Sequence, residues 1–373
     1  MATITGPIDV SALRARLDRA SAAAEQAGVD ALLISPGSDL RYLIGAGGDS
    51  FERLTCLALP VGGTPTLVVP KLEQPGYAAI PTDELGVEVV TWVDGEDPYA
   101  LVKAALKGSR TAVADMMPAL HTIKLGQAIG GTQSLAGPII RELRMRKDAA
   151  EIDALRKAGA AIDRVHARMG EFLRVGRTER EVAHDIALAI VEEGHTVADF
   201  VIVGSGPNGA SPHHRDSDRV VEAGDVVVID IGGPVAEGYN SDSTRTYVMG
   251  EPAHDDVRDT YAVLQAAQQA AVDAVKPGVT CEEVDAAART VIADAGFGEF
   301  FVHRTGHGIG LDVHEEPYIV SGNSLPLEAG MAFSVEPGIY LPGRWGARIE
   351  DIVVATPDGV ESFNNRPHDL VVL

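Results

Sequence analysis

The chain of 373 residues is poor in cysteine, with only Cys56 and Cys281, far apart in sequence. Two such thiols give neither a disulfide framework nor the paired spacing of a zinc site, so a reducing compartment is expected. No apolar run approaches the ~18 residues of a spanning helix, and the N-terminus has no basic region followed by an apolar core. No membrane partner is therefore expected, and the cytoplasm is the default location. Basic residues are in deficit: 31 Lys and Arg against 54 Asp and Glu leave a formal net charge of −23. With no basic stripe to offset it, nucleic acid is excluded as a partner, and the surface should be soluble and attract cations. There is no low-complexity tract or long linker. There is also no G-x-S-x-G elbow and no cysteine beside a plausible partner, so no protein nucleophile stands out.

What the sequence does have is a set of hard metal ligands in its C-terminal half. The segments VVVIDIGG, YNSDSTRT, RTGHGIG, FSVEPGIY and ARIEDIVV carry Asp230, Asp242, His307, Glu336 and Glu350, each in its own glycine- or proline-marked stretch. Four of them put the acid or imidazole inside or beside an apolar strand-like run, where an unpaired charge is expensive to bury. Brought together, four carboxylates carry a charge of about −4, which repulsion opposes by raising their pKa values. Two divalent cations would neutralise it. A carboxylate-rich site with one imidazole favours Mn²⁺ or Co²⁺, with Zn²⁺ as the further choice.

Taken singly, an acid on a strand is more often a solvent-facing residue of a half-exposed sheet. The combination carries more weight, because two acidic pairs recur on similar local patterns. Asp230 ends a strand pattern, the chain turns through Gly232, Gly233, Pro234 and Gly238, and it returns with Asp242. Glu336 follows a strand pattern, the chain turns through Pro337, Gly338, Pro342, Gly343 and Gly346, and it returns with Glu350. Each reads as an antiparallel excursion with one acid on each leg.

These excursions belong to an internal repeat. Arg174 to Val182 matches Lys276 to Val284 at a basic residue, Gly176/Gly278, Thr178/Thr280, Glu181/Glu283 and Val182/Val284. Both are capping boxes, in which a Thr opens a helix and a Glu three residues later reaches back to a free N–H. Both helices run to a candidate C-cap glycine, Gly194 and Gly296, at the same offset. The expectation is a duplicated α/β half with metals bound between the halves.

The 45% hydrophobic content is ample for two cores. The N-terminal part alternates a helix at Ser11 to Gln26 with strands near Ala31 to Ser35, Thr55 to Leu59, Thr66 to Val69, Val87 to Trp92 and Thr111 to Ala114, an α/β layer pattern. Asp148 and Glu151 form another capping box. The expected fold class is therefore α/β (α+β), with an N-terminal α/β domain at 1–145 and a second domain at 146–373 that contains the repeat.

Together with SGPNGASPHH and GLDVHEEP, the five segments resemble the pita-bread metallopeptidases, in the branch that holds Xaa-Pro dipeptidases (prolidases) and aminopeptidase P. DLRYLIGA at Asp39 to Ala46 resembles part of that family's N-terminal domain. The resemblance implies that Asp230 chelates one metal, that Asp242 and Glu350 bridge both, and that His307 and Glu336 complete the other. It places His213 over the substrate, His314 against the scissile carbonyl and His303 near the side-chain pocket, these imidazoles stabilising the developing oxyanion. Arg348, two before Glu350 and so on the same strand face, is expected to pair with a ligand carboxylate. His214 is read as a surface residue. One departure from the family is the separation of Asp230 from Asp242 by twelve positions, one more than expected, which an extra turn residue near Pro234 would absorb.

The implied function is a dinuclear-metal peptidase acting before proline on small peptides, working as a homodimer. A non-catalytic pita-bread binding protein and a metal-free creatine amidinohydrolase are disfavoured because all five ligand positions are filled. Methionine aminopeptidase is disfavoured by the sizeable N-terminal domain. Between the two Xaa-Pro activities the signals conflict. Glu315 to Val335 contains no Lys or Arg to hold a product carboxylate, leaving Arg344 or a partner-chain residue as substitutes. The compact N-terminal domain points to prolidase, which is taken first, with aminopeptidase P activity as the alternative.

Overall fold

The computed structural model describes residues 9–48, 52–215 and 217–373. Residues 1–8, on which the expectation about an N-terminal leader falls, lie outside them. The chain divides into two compact units, one ending at Arg144 and the other running from Met145 to Leu373.

In the first unit, α1 (Val10–Gln26) is capped by Asp9, whose carboxylate accepts from the Ser11 and Ala12 N–H groups. There follow β1 (Ala31–Ile34), α2 (Ser38–Ile44), β2 (Cys56–Pro60), β3 (Thr66–Pro70), α3 (Thr82–Leu85), β4 (Glu88–Trp92), α4 (Pro98–Ala104), β5 (Arg110–Val113), α5 (Ala119–Ile129), β6 (Thr132–Leu135) and α6 (Gly137–Met145). The strands form one mixed sheet in the order β4-β3-β2-β1-β5-β6. Its central strands are buried along their whole length, which is why they read as unbroken apolar runs. Each strand expected from the pattern lies within a residue of its expected limits. The short helices went unread because four to seven residues do not span two turns of apolar period.

The second unit is built twice. Its first half holds α7 (Ala149–Ala167), α8 (Met169–Phe172), α9 (Glu179–Glu192), β7 (Phe200–Ser205), β8 (Val226–Pro234) and β9 (Asn240–Val248). The second half holds α10 (Val257–Ala274), α11 (Cys281–Asp294), β10 (Gly306–Gly308), β11 (Glu315–Ile319), β12 (Ala332–Val335), β13 (Gly338–Leu341), β14 (Trp345–Arg348), β15 (Asp351–Thr356), β16 (Gly359–Ser362) and β17 (Val371–Val372). All three capping boxes form with both reciprocal bonds, and Gly194 and Gly296 follow their helices with positive φ. The halves share a hydrogen-bond pattern as well. Gly176 N–H donates to the Val221 carbonyl and Val221 N–H to that of Arg177, while Gly278 donates to Leu327 and Leu327 to Val279.

Each half has its own core. One gathers Ile162, Val182, Ile186, Val203, Val227, Ile229 and Ile231; the other gathers Leu264, Val284, Ile292, Phe333, Val335, Ala347, Ile349 and Val353. The strand period of two then decides what lies on the opposite face. Val227, Ile229 and Ile231 pack on the helices, so Asp230 points away from them. Phe333 and Val335 do the same for Glu336, and Ala347 and Ile349 for Arg348 and Glu350.

Candidate metal centre

Strand register brings the acids together. In the β8/β9 ladder Asp230 pairs with Thr244 and Gly232 with Asp242, which makes Asp230 and Asp242 diagonal neighbours on one face. The hairpin turns at 236–238, beyond the Val235 N–H to Tyr239 carbonyl bond, and the register from Val226 to Pro234 is continuous. The second excursion is split into two ladders, β12/β15 and β13/β14. Val335 pairs with Asp351 and Gly338 with Arg348, and this unbroken register sets Glu336 opposite Glu350 at the split.

His307 comes from β10, pressed between β11 and β12. Glycines on either side allow this approach: a Cβ on Gly306 would overlap the Ser334 carbonyl, and one on Gly308 would overlap the Glu316 carbonyl. The His307 Nδ1 faces the Gly308 carbonyl at 3.1 Å. A carbonyl only accepts, so Nδ1 carries a proton and Nε2 is the nitrogen turned to the acids, a donor to Glu336 when protonated and a ligand atom when not. Nε2 lies 3.2 Å from Glu336 Oε1 and 3.5 Å from Asp242 Oδ2.

Donor atoms lie within 4.8 Å of one another in three overlapping groups: Asp230, Asp242 and Glu350; His307, Glu336 and Glu350; and Asp242, His307 and His314. The donor set fits divalent ions on two grounds. Asp230 Oδ1 is buried with no hydrogen-bond partner among the described residues, a state that an unshielded carboxylate oxygen would not tolerate. Burial, together with repulsion from neighbouring carboxylates, also pushes the Asp242 and Glu350 carboxyls well above their ordinary range. For Glu336 burial acts in the same direction, but the His307 hydrogen bond and charge outweigh it and hold the group low. Protons and metal ions would therefore compete for Asp242 and Glu350.

Around this cluster the cleft, of about 610 Å³, is lined by Phe200, Ile202 and Val313 on its apolar side and by His213, His303, Arg304, His314 and Arg348 among its polar groups. Arg348 is buried and uses its whole fork. Nη2 donates to Asp230 Oδ2 at 2.6 Å, Nη1 to Tyr340 Oη at 2.7 Å and Nε to Thr244 Oγ1 at 3.0 Å. Thr244 in turn donates to Glu350 Oε2 at 2.7 Å. Tyr340, already an acceptor, donates to His303 Nε2 at 2.9 Å, and His303 Nδ1 donates to the Arg304 carbonyl at 2.7 Å. Both nitrogens of His303 are thus taken by protein groups, which leaves it no N–H for an oxyanion. His314 stands edge-on to His307, ring centroids 4.1 Å apart. Burial first, and then the charge of His307, pushes its imidazole down to about 4. His213 is exposed at the cleft wall.

Three sequence expectations are corrected: the oxyanion role of His303, whose nitrogens are both engaged, and the readings of His214 and Arg344. His214 is no plain surface residue, since its Nε2 is 2.8 Å from the fully buried Glu179. Arg344 is no substitute carboxylate holder, since it is paired with Asp256 at 2.9 Å and does not line the cleft. Besides Arg348, the cleft is lined by a second cation, Arg304, whose guanidinium lies 4.3 Å from the Tyr318 ring centroid. In the sequence it stands between His303 and His307, outside the Glu315 to Val335 interval where a carboxylate holder is expected.

The profile of Metallopeptidase family M24 matches residues 153–357, and that of the Creatinase/Prolidase N-terminal domain matches residues 16–146. The chain is 60% identical to a probable dipeptidase PepE of Mycobacterium tuberculosis over 367 residues, 98% of each chain. It is 37% identical to an Xaa-Pro dipeptidase of Lactobacillus delbrueckii subsp. lactis, over 96% of this chain and 98% of that one. The crystal structure of dipeptidase PepE from Mycobacterium ulcerans superposes with a TM-score of 0.94 at 62% identity, covering 98% of this chain and 99% of that one. With more than half its length matched by the family profile and relatives of this identity along nearly all of it, the chain belongs to metallopeptidase family M24, as a pita-bread peptidase of the prolidase type.

Proposed function

We propose that the chain hydrolyses Xaa-Pro dipeptides with two divalent ions, which Asp230, Asp242, His307, Glu336 and Glu350 would hold, Asp242 and Glu350 being shared between the donor groups. The observation that carries this is the overlap of the donor groups: Glu350 is common to the Asp230 group and the Glu336 group, and Asp242 to the Asp230 group and the His307 group. Ions held there supply Lewis-acid polarisation of the peptide carbonyl and lower the pKa of a water. The protein residues orient and bind. His314, neutral near pH 7, offers an N–H to the scissile carbonyl. His213 reaches over the substrate from the cleft wall. Arg348 fixes the Asp230 carboxylate and, through Tyr340, the ring of His303. Phe200, Ile202 and Val313 give an apolar wall for substrate side chains.

Dipeptides are preferred over longer peptides because Arg304 has no carboxylate partner among the described residues and is placed to receive a free C-terminal carboxylate. Mn²⁺ or Co²⁺ are the expected ions, with Zn²⁺ as the alternative, on the hardness of the donor set. Residues 1–145 serve as the N-terminal domain and 146–373 as the catalytic domain. The working form is a homodimer in the cytoplasm. Exposed Met116, Leu120, Ile123 and Leu135 support the former, and two buried free thiols the latter.

The test compares kcat/KM for an Xaa-Pro dipeptide, its C-terminal amide and an Xaa-Pro tripeptide. The dipeptide should lead by tenfold or more, about 1.4 kcal/mol, and Arg304→Met should erase the lead. A tenfold preference for the amide or tripeptide would make the enzyme an aminopeptidase.

A further inference from the structure

The loop that carries His213 is clipped to one buried carboxylate that the reaction itself does not use. Glu179, the first residue of α9, is fully buried. Its Oε1 accepts from Ser205 N–H at 2.8 Å, Ser205 Oγ at 2.7 Å and Asn208 Nδ2 at 3.1 Å. Its Oε2 accepts from His214 Nε2 at 2.8 Å, Ser217 Oγ at 2.7 Å and Ser217 N–H at 3.3 Å. Burial alone would raise this carboxyl, but the bonds from Ser217, Ser205 and His214 outweigh it and leave it below its ordinary value. Glu179 is therefore an anionic acceptor that gathers Ser205, Asn208, His214 and Ser217.

His213 sits between two grips. On one side the Pro212 carbonyl lies 3.4 and 3.5 Å from the Arg348 guanidinium, the group that also holds Asp230. On the other side His214 is held by Glu179. The repeat shows that α9 does not need a glutamate here in order to fold. At the matching position of α11 stands Cys281, also fully buried, and its backbone N–H makes the bond to Leu325 that Glu179 N–H makes to Arg219. The other half brings His314 to the cleft from the segment between β10 and β11 with no acid at this position, so the carboxylate and its bond to His214 are particular to the loop of His213.

We propose that Glu179 and His214 form a positioning pair that fixes His213 over the substrate. The pair touches neither substrate nor metal and acts through the backbone of residue 213. This rests on the role given to His213 above, so the experiment separates the two claims. In the metal-loaded full chain, His213→Ala, His214→Ala and the double variant are compared by kcat/KM, metal content and unfolding temperature. Each single variant should lose about tenfold, with metal content kept. The double variant should lose no more than about twofold beyond His213→Ala, because one effect passes through the other. His214→Gln, whose amide can still reach Oε2, should recover most of the loss, and Glu179→Gln should behave like His214→Ala.

Losses that multiply in the double variant, or His214→Ala at the parental rate, overturn the positioning pair alone. His213→Ala at the parental rate overturns the reading of the site and the pair with it. The imidazole NMR signals of His213 give a readout independent of turnover: they must shift in His214→Ala, and unchanged signals also overturn the pair.

Discussion

Arg348→Lys separates charge from geometry at the centre. The substitution keeps a cation within reach of Asp230 but replaces a planar fork with a single ammonium. The native side chain spans three acceptors in different directions, Asp230 Oδ2, Tyr340 Oη and Thr244 Oγ1, at 2.6, 2.7 and 3.0 Å. One ammonium on a flexible stem can hold Asp230 only by releasing the other two. Two buried bonds are then lost, at ~1 kcal/mol each or somewhat more where an acceptor stays unpaired. For a unit of this size that lowers the unfolding temperature by roughly 4–10 °C. The larger effect falls on the ions. Asp230 gains rotational freedom, Thr244 no longer aims its hydroxyl at Glu350 with the same constraint, and affinity should fall by about 10–100-fold. Calorimetric titration of Mn²⁺ into the metal-free variant measures that fall, and kcat/KM at saturating metal should recover part of the lost rate. If Arg348→Lys binds metal and turns over like the parent, charge alone suffices and the orienting role assigned to the fork is wrong.

Asp242→Asn and Glu350→Gln should each abolish hydrolysis and halve the bound metal or worse while leaving the circular dichroism spectrum intact; retained activity in chelator-treated protein would refute the metal mechanism itself. Gly306→Ala drives a methyl into the Ser334 carbonyl, so it should displace His307 and lower metal content before it lowers secondary structure, which elemental analysis checks. Burial pushes the imidazoles of His166 and His195 down to about 3 and about 4. Because these folded values lie below the ordinary ~6.5, the unfolded chain takes up protons first as pH falls. Stability is therefore complete above about pH 6.5 and declines below it, by about 2 kcal/mol per histidine at pH 5. Urea midpoints that do not move between pH 7 and 5 would contradict this, and His195→Gln should flatten the slope.

Most of this fold is legible in the chain because local chemistry and tertiary packing agree. The capping boxes at Asp148, Thr178 and Thr280 form as written, since they are closed by residues three apart and need no distant partner. The ligand acids were legible for a different reason. A carboxylate inside VVVIDIGG or ARIEDIVV conflicts with its apolar neighbours, and such conflicts mark function more often than error. The strand period turns that conflict into geometry, since it sends Ile229 and Ile231 to one face and Asp230 to the other. The Glu336 and Glu350 pairing was legible as a hairpin but not as two ladders, because the split at Pro337 and Ile349 depends on what β15 and β13 pack against rather than on the turn.

The residues that escaped the sequence are those whose partners are remote and whose local pattern is ordinary. Glu179 sits in R-T-E-R-E, where a charged first turn is what any helix start favours, and nothing nearby announces that its carboxylate turns inward to Ser205 and His214. His214 looked like the spare member of a histidine pair for the same reason. Tyr340 lies four past Glu336 in a plain glycine-rich strand, yet it joins Arg348 to His303 and thereby sets the tautomer of that ring. In each case the decisive contact crosses between segments, from position 179 to 214 and from 340 to 303 and 348. The repeat offered the one available clue. Its two halves match at the capping threonine and glutamate but differ between them, Glu179 against Cys281. A difference inside an otherwise matched motif is where one half has taken on work that the other has not.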